Sequence, residues 1–453
     1  MKKFNINNLK YILILGLSFG MLSCEFEDQV DPNNPSLQQY DQDATVNELN
    51  NLIVGIESEM RSGYPLYVTA TGTIARELYL FDADPRNTED LLGKNGAVLD
   101  NNTFYLTSPY NNSYQNVKNT NILLDALDNT ALVSETEKSG YRGFANTVQA
   151  LQLLRVLNML DENGIRVDIK DPDNLGPFVS KSAALEFISG LLNTGFTQLG
   201  NAGSAFPFEL SSGFEGFNTP STFAQFNRAL AARVAIYREE WGAVLGLLTD
   251  SFFDPNGDLT VGPKHSFSTA SGDQLNGLFK IPGNNGDMIV VHDRFLSNAE
   301  RISNPNDDTD TIDQRIVWKM AKRAENAPSK DGLNGKLETA LYPTPTSPID
   351  IIRNEELVLI SAEAKLQTGD ITGAISDLNI IRDYAGLDPY SGAQTADAVT
   401  DELLTQRQYS LWCEGHTMVD LRRYGRLNAN NLPIDREGDQ VFTQFPIPLT
   451  EAE

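Results

Sequence analysis

The sequence predicts a mainly α-helical protein in which antiparallel helix pairs alternate with long irregular loops and a few short strands. The clearest pair is 355–384, EELVLISAEAKLQTGDITGAISDLNIIRDY, where apolar residues recur at helical spacing on both sides of a turn. Gly369 ends the first helix of this pair, and Asp370 caps the second. Residues 229–250 align with the same unit without gaps, which is typical of degenerate tetratricopeptide-like repeats.

Residues 1–23 are predicted to be a cleaved export signal. A basic start precedes the apolar stretch 11–22, which is too short to cross a bilayer core that needs about 20 residues. Ser23 and Cys24 resemble a bacterial lipobox, although Met21 stands where leucine is usual. The pattern predicts cleavage before Cys24 and its lipidation, which gives a stable membrane anchor once two acyl chains are attached. The alternative is an ordinary secretory signal that happens to end near a cysteine.

The composition is strongly acidic, with 61 Asp and Glu against 35 Lys and Arg. Because the predicted signal carries three lysines and no acidic residue, its removal changes the formal net charge from −26 to −29. Such a charge argues against nucleic-acid binding and against electrostatic adhesion to anionic lipid. If Cys24 is lipidated, Cys413 is the one remaining cysteine, so neither an internal disulfide nor a cysteine-based metal cluster can form.

Helical units and loop-rich regions alternate along the rest of the chain. After an acidic linker over 24–44, the predicted helical units lie near 114–160, 224–250 and 355–384. The loop-rich regions, which we expect to face a ligand, lie near 62–81, 161–222 and 250–350. Loops of this length within a compact protein are usually functional. The alternative for the helical units is a set of amphipathic helices without a repeat.

Three C-terminal segments resemble the SusD/RagB family of nutrient-binding outer-membrane lipoproteins. Residues 353–387 resemble the family's core helix pair, and 403–427, LLTQRQYSLWCEGHTMVDLRRYGRL, resembles its motif ERRxELxFEGHRxxDLRRxG. The closing segment 444–453 resembles FPIPxxE, so the family motif region spans 403–453. The chain departs from the motif at Gln406, Ser410 and Cys413, where the family usually has two glutamates and an aromatic residue.

The resemblance implies the fold, location and partner of the protein. We expect residues 45–453 to form one SusD-like helical domain, an α-α superhelix of tetratricopeptide-like pairs. The family implies a lipid-anchored protein of the outer membrane, facing outward, that captures oligosaccharides or peptides. It would deliver them to a TonB-dependent, SusC-like transporter without catalysis or a cofactor. Acidic residues directly after Cys24 resemble a surface-export signal and agree with this location.

Ligand capture by stacking requires exposed aromatic faces, and two predicted loop regions carry them. The candidate residues are Tyr64, Tyr67, Tyr79, Phe81, Phe206, Phe208, Phe214 and Phe217. The alternative is that these rings pack under their own loops. The three tryptophans, Trp241, Trp318 and Trp412, lie in segments typical of helices or strands and are expected in the core. Because no tryptophan lies in these loops, a peptide remains an alternative to a glycan as the ligand.

Charged residues crowd the segment 407–423, where acidic and basic side chains at helical spacing favour paired networks over an acid–base site. The three histidines are separated in sequence and no zinc motif is present, so we expect no metal centre. The acidic stretch 304–315 lacks the glycine and glutamate of an EF-hand loop; we expect a solvated loop, with calcium binding left open.

Two functions other than nutrient capture agree with the sequence. A surface scaffold or adhesin would need no small ligand. A surface glycoside hydrolase would need two carboxylates, and the sequence has many but singles out no pair.

Overall fold

The structure is a computed structural model that describes residues 43–171, 173–300 and 313–451. The predicted signal, Cys24 and most of the acidic linker therefore lie outside the described residues, as does most of the acidic stretch 304–315. Among the helices of the described ranges, none has both the length and the apolar character needed to span a bilayer.

Helices dominate the architecture, which confirms the predicted fold class. The described helices are α1 (Val46–Glu59), α2 (Tyr64–Ile74), α3 (Phe104–Asn129), α4 (Glu135–Leu160), α5 (Lys181–Asn201), α6 (Pro220–Tyr237), α7 (Trp241–Thr249), α8 (Asp293–Asn298), α9 (Gln314–Lys319), α10 (Asn354–Gln367), α11 (Ile371–Tyr384), α12 (Ala396–Ser410) and α13 (Thr417–Arg423). The described strands are β1 (Leu78–Phe81), β2 (Ile165–Arg166), β3 (Phe178–Val179), β4 (Lys264–His265), β5 (Met288–Val291), β6 (Met320–Lys322), β7 (Leu337–Thr339) and β8 (Ile349–Asp350).

The longer helices pack in chain order, each on the next, from α3 to α7, and α10 then packs on both α6 and α7. Helices α11 and α12 continue the row beyond α10. Local sequence signals explain the turns in this row. At the α10–α11 turn, Gly369 has a left-handed φ of 88°, and the Asp370 carboxylate accepts a 2.8 Å hydrogen bond from the Gly373 amide.

The structure contradicts the loop description of two regions. Residues 62–81 form α2 and β1, and the middle third of 161–222 forms the long helix α5. The helix α5 lies very close to α4, and Gly195 permits this approach. A Cβ atom at Gly195 would lie 3.1 Å from the Thr147 side chain on α4. Ala44, the last residue of the predicted linker, is already buried in the core.

The strands form a small sheet and two short pairs beside the helices. In the four-stranded sheet, with order β1-β5-β7-β6, β1 and β5 run antiparallel and place Leu78 opposite Val291. Both strands are fully buried. The pair β4–β8 joins Lys264 to Asp350 in register and lies beside the N-terminus of α10.

Buried ion pairs connect the C-terminal motif to the helical row. The Arg407 Nε atom on α12 lies 2.7 Å from Asp420 Oδ2 on α13, and Arg423 lies 2.7 Å from Glu363 on α10. The charged residues of 407–423 therefore form a paired network within the core. At the departure from the family motif, the Ser410 hydroxyl accepts a 3.0 Å hydrogen bond from the buried Arg315 guanidinium.

Candidate functional site

A cleft of about 470 Å³ lies between α1, β4 and the loops 209–214 and 271–273. Its volume falls within the range of about 300–1,000 Å³ that is usual for small-molecule sites. Polar and charged side chains share the lining with apolar ones such as Val54 and Phe214. The polar and charged ones include Glu57, Arg61, Ser211, Lys264 and Asp273.

Arg61 follows the C-terminus of α1 and is held rigidly at the cleft. One of its terminal nitrogens lies 2.9 Å from Asp273 Oδ1 and donates to Ser58 Oγ at 3.0 Å, while the other donates to the Ser266 carbonyl. The guanidinium also lies over the Phe267 ring, 5.5 Å from its centroid. A donor fixed by this many partners loses little side-chain entropy when a ligand binds.

Glu57 supplies an acceptor on the same side of the cleft. Its two carboxylate oxygens accept from the Ser211 amide at 3.3 and 3.1 Å. Burial raises the pKa of Glu57, against the opposing effects of Ser211 and of the Arg61 charge. On the opposite side, Lys264 pairs with Asp350 and donates to the Thr260 carbonyl at 3.3 Å. The cleft therefore presents fixed donors and acceptors a short distance apart.

A second, smaller space of about 40 Å³ shares His265 with the cleft. Tyr64, Arg155, Glu414 and His416 surround it. Burial, together with the charges of Arg155 and Arg61, lowers the pKa of His265 well below its ordinary value, so the ring is neutral. This space is large enough for a few water molecules but is far below the usual volume of a small-molecule site.

The first group of predicted aromatic residues is not exposed, and its predicted exposure is wrong. Tyr64 and Tyr67 lie on α2, where their hydroxyls donate to the carbonyls of Glu414 at 3.1 Å and Gly415 at 3.0 Å. Tyr79 and Phe81 lie on β1 with stacked rings in a small buried cluster against β5. These rings are buried because helix packing and strand pairing, and not loop formation, organise 62–81. A contribution to ligand binding remains a prediction.

The second group lies in the loop between α5 and α6, but its rings point inward. Phe206 is half-buried and stacks on Phe208 at 4.5 Å, while Phe214 and Phe217 are buried. The loop crosses over α4 and α6, and the rings fill the space beneath it, so the predicted exposure is wrong here as well. Phe214 nevertheless lines the cleft, and its predicted role in binding remains a prediction.

The charged cleft residues were not predicted, because the sequence-based prediction of the site rested on aromatic residues. Arg61 and Asp273 are more than 200 residues apart, and no local pattern connects them. Trp412 is buried as expected, whereas Trp318 is 45% exposed, so its expected place in the core is wrong. Within the described ranges, no group of three histidine, cysteine or acidic residues could hold a metal ion.

Comparisons with known proteins agree with this architecture. Residues 305–450 match the sequence profile of the SusD family. A SusD superfamily protein from Bacteroides thetaiotaomicron VPI-5482 superimposes with a TM-score of 0.66 at 17% identity, covering 90% of this chain and 98% of that one. The chain has a SusD-like fold. The resemblance of its C-terminal segments to this family is thereby confirmed.

Two further structures similar to the SusD-like protein carry functional names. Surface glycan-binding protein A from Bacteroides thetaiotaomicron has a TM-score of 0.67 at 14% identity, with 91% of this chain and 97% of that chain covered. Surface glycan-binding protein A from Bacteroides uniformis has a TM-score of 0.62 at 16% identity, with coverages of 85% and 90%. At these identities the likeness shows the shared fold. Among curated proteins, no sequence match was found.

Proposed function

We propose that this SusD-like protein binds an oligosaccharide in the cleft between α1 and β4. The observation that carries the proposal is the cleft itself, whose volume suits a small ligand and whose donors and acceptors are fixed by the protein. Two proteins of the same fold are named as surface glycan-binding proteins, which supports this ligand class.

The chemistry of the cleft suits a sugar because each sugar hydroxyl both donates and accepts a hydrogen bond. Glu57 and Asp273 offer acceptors, and Arg61 and Lys264 offer donors. Hydrogen bonds to charged groups contribute about 1.5–3 kcal/mol each, so two or three account for a useful affinity.

The proposal extends to location and partner. Lipidation of Cys24 would hold the protein on the outer face of the outer membrane, where it would pass its ligand to a TonB-dependent, SusC-like transporter. The export signal, the lipobox and the acidic residues after Cys24 support this placement. In this function the protein binds and releases, and it breaks no bond in the ligand.

Calorimetric titration with a panel of hexasaccharides tests the binding site. The variant Glu57→Gln keeps the side-chain size but replaces one anionic oxygen by an amide, so affinity should fall about tenfold, or 1.4 kcal/mol. Glu186→Gln is the matched control, because Glu186 is exposed on α5 and lies outside the cleft. Equal affinities of Glu57→Gln and wild type would reject this site.

The same panel separates binding from the alternatives. Chromatography after long incubation should return every oligosaccharide intact; released shorter products would favour a hydrolase. A protein that binds no member of the panel, yet still sits on the cell surface, would favour a scaffold or adhesin.

A further inference from the structure

Two aromatic rings lie side by side on the surface, away from the cleft lining. Trp318 on α9 is 45% exposed, and Tyr384 at the end of α11 is 37% exposed. Their ring centroids are 5.2 Å apart and their planes are inclined at 57°, so together they form an open angle. We call Trp318 and Tyr384 the aromatic pair.

The polar atoms of the aromatic pair are free. Neither the Trp318 indole N–H nor the Tyr384 hydroxyl makes a hydrogen bond within the part of the chain that the structure describes. Buried tryptophan and tyrosine normally find such partners. In this protein the Trp412 indole donates to the Glu77 carbonyl at 3.4 Å, and the Tyr64 hydroxyl donates to Glu414.

The backbone under the aromatic pair is firmly held. The Gln314 amide at the start of α9 donates to the Ala385 carbonyl, just after α11, at 2.9 Å. At the other end of α9, the buried Lys319 ammonium donates to the Tyr409 carbonyl at 3.0 Å. The short helix α9 is thus fixed to both α11 and α12, which presents the two rings in one orientation.

The surroundings of the aromatic pair are acidic. Partial burial and the nearby carboxylates of Glu355, Asp258 and Asp350 raise the pKa of Tyr384 against the opposing charge of Arg353, so its hydroxyl remains a hydrogen-bond donor at neutral pH. Asp350 also pairs with Lys264 of the cleft. An acidic neighbourhood disfavours ligands that carry carboxylate or sulfate groups.

We propose that Trp318 and Tyr384 form a second saccharide-binding site that takes the apolar face of a neutral pyranose. One ring stacks on the sugar C–H groups, while the free indole N–H and phenol O–H bind its hydroxyls. This inference rests on the proposed saccharide binding and adds a site and a ligand class to it. With two sites, one polysaccharide strand can contact the protein at separate sugars, which raises avidity.

Tryptophan fluorescence of the full-length protein tests the inference. The protein is purified in a zwitterionic detergent that carries no sugar, and it is titrated with maltohexaose, cellohexaose, xylohexaose, mannohexaose and hexagalacturonate. We expect one neutral hexasaccharide to shift the emission and to protect Trp318 from acrylamide quenching. Both effects should disappear in Trp318→Phe, because Trp412 is fully buried and Trp241 is half-buried.

Calorimetry with the same ligand gives the energetic test. Trp318→Ala and Tyr384→Ala should each weaken binding about tenfold, as expected for exposed aromatic anchors. The matched control is Phe187→Ala, because Phe187 is a single aromatic ring on α5 that is 38% exposed. The three side chains are exposed, so circular dichroism should show unchanged melting for all variants.

The outcomes separate this inference from the proposed function. If Glu57→Gln weakens binding but Trp318→Ala does not, the aromatic pair is not a saccharide site and the cleft proposal stands. If hexagalacturonate binds through Trp318 as tightly as the neutral ligands, the neutral class is wrong. If no hexasaccharide binds the wild type, both proposals fail.

Discussion

The buried ion pair between Arg233 on α6 and Glu356 on α10 connects two of the predicted helix pairs. Arg233 Nε and Nη2 each donate to a different Glu356 oxygen at 2.6 Å, and the side chains are 7% and 2% exposed. Although burial raises the pKa of Glu356, the Arg233 charge outweighs it and lowers this pKa to about 2. We expect Arg233→Met to destabilise the protein strongly.

The size of this destabilisation follows from the Glu356 carboxylate, which stays buried when Arg233 is replaced. Removing one partner of a buried pair costs about 3–5 kcal/mol, because the other charge stays buried without compensation. In wild type the Glu356 pKa is below its unfolded value of 4.5, so this stabilisation is present above pH 4.5 and is lost as the pH falls towards 2. Without Arg233, burial dominates and the pKa rises above 4.5, so the variant should regain stability as the pH falls from 7 to 5.

Urea unfolding followed by circular dichroism at pH 7 and pH 5 measures both effects. Arg142→Met is the control, because Arg142 on α4 pairs with the exposed carboxylates of Asp128 and Glu135 and should cost less than about 1 kcal/mol. The double variant Arg233→Met/Glu356→Leu should recover most of the loss, since apolar residues can replace a buried pair. A loss below about 1 kcal/mol for Arg233→Met, or a double variant less stable than the single one, would refute the reasoning.

Three further predictions concern the core around residue 413. Gly415→Ala should lower the free energy of unfolding in urea by at least about 2 kcal/mol, because φ is 80° and the new Cβ would lie 2.4 Å from a Tyr67 ring carbon. Gly425→Ala is the control, because φ there is 65° but the space around it is open, and it should lower this free energy by about half as much. Cys413 should resist a thiol reagent in the native state, since it is buried and burial raises its pKa; labelling without urea would contradict this. Burial raises the pKa of Glu77 to about 7, above its unfolded value of 4.5. As the pH rises from 4.5 to 7, the free energy of unfolding of the wild type should therefore fall by about 3 kcal/mol relative to that of Glu77→Gln. Parallel pH profiles of the two proteins would contradict this.

The helix pairs were predictable because their signals are local. Gly369 and Asp370 specify the α10–α11 turn through their own backbone and side chain, whatever the rest of the chain does. The helix α5 was not predicted, because its several glycines are more typical of a loop than of a helix. Gly195 instead serves a helix contact, and only the position of α4 reveals this use. Tertiary packing thus overrides the low helix propensity of glycine.

The exposure of aromatic rings was not predictable from the sequence. The rings of 62–81 and 204–223 are largely buried, whereas Trp318 in a helix is exposed. Exposure of a ring depends on which elements cover it, and that depends on contacts between distant residues. The same applies to Arg61, whose partner Asp273 comes from a loop far along the chain. One sequence carries no record of such pairs.

The buried ion pairs of the helical row and the ion pair at the cleft differ in how much they contribute to stability. Arg233, Arg407 and Arg423 form buried pairs whose disruption costs about 3–5 kcal/mol each. The pair of Lys264 and Asp350 at the cleft is partly exposed, so its loss costs about 1 kcal/mol or less. The pair of Lys264 and Asp350 can therefore change with little effect on folding, while the helical network cannot. This asymmetry agrees with the finding that structures only 14–18% identical to this chain keep the same fold.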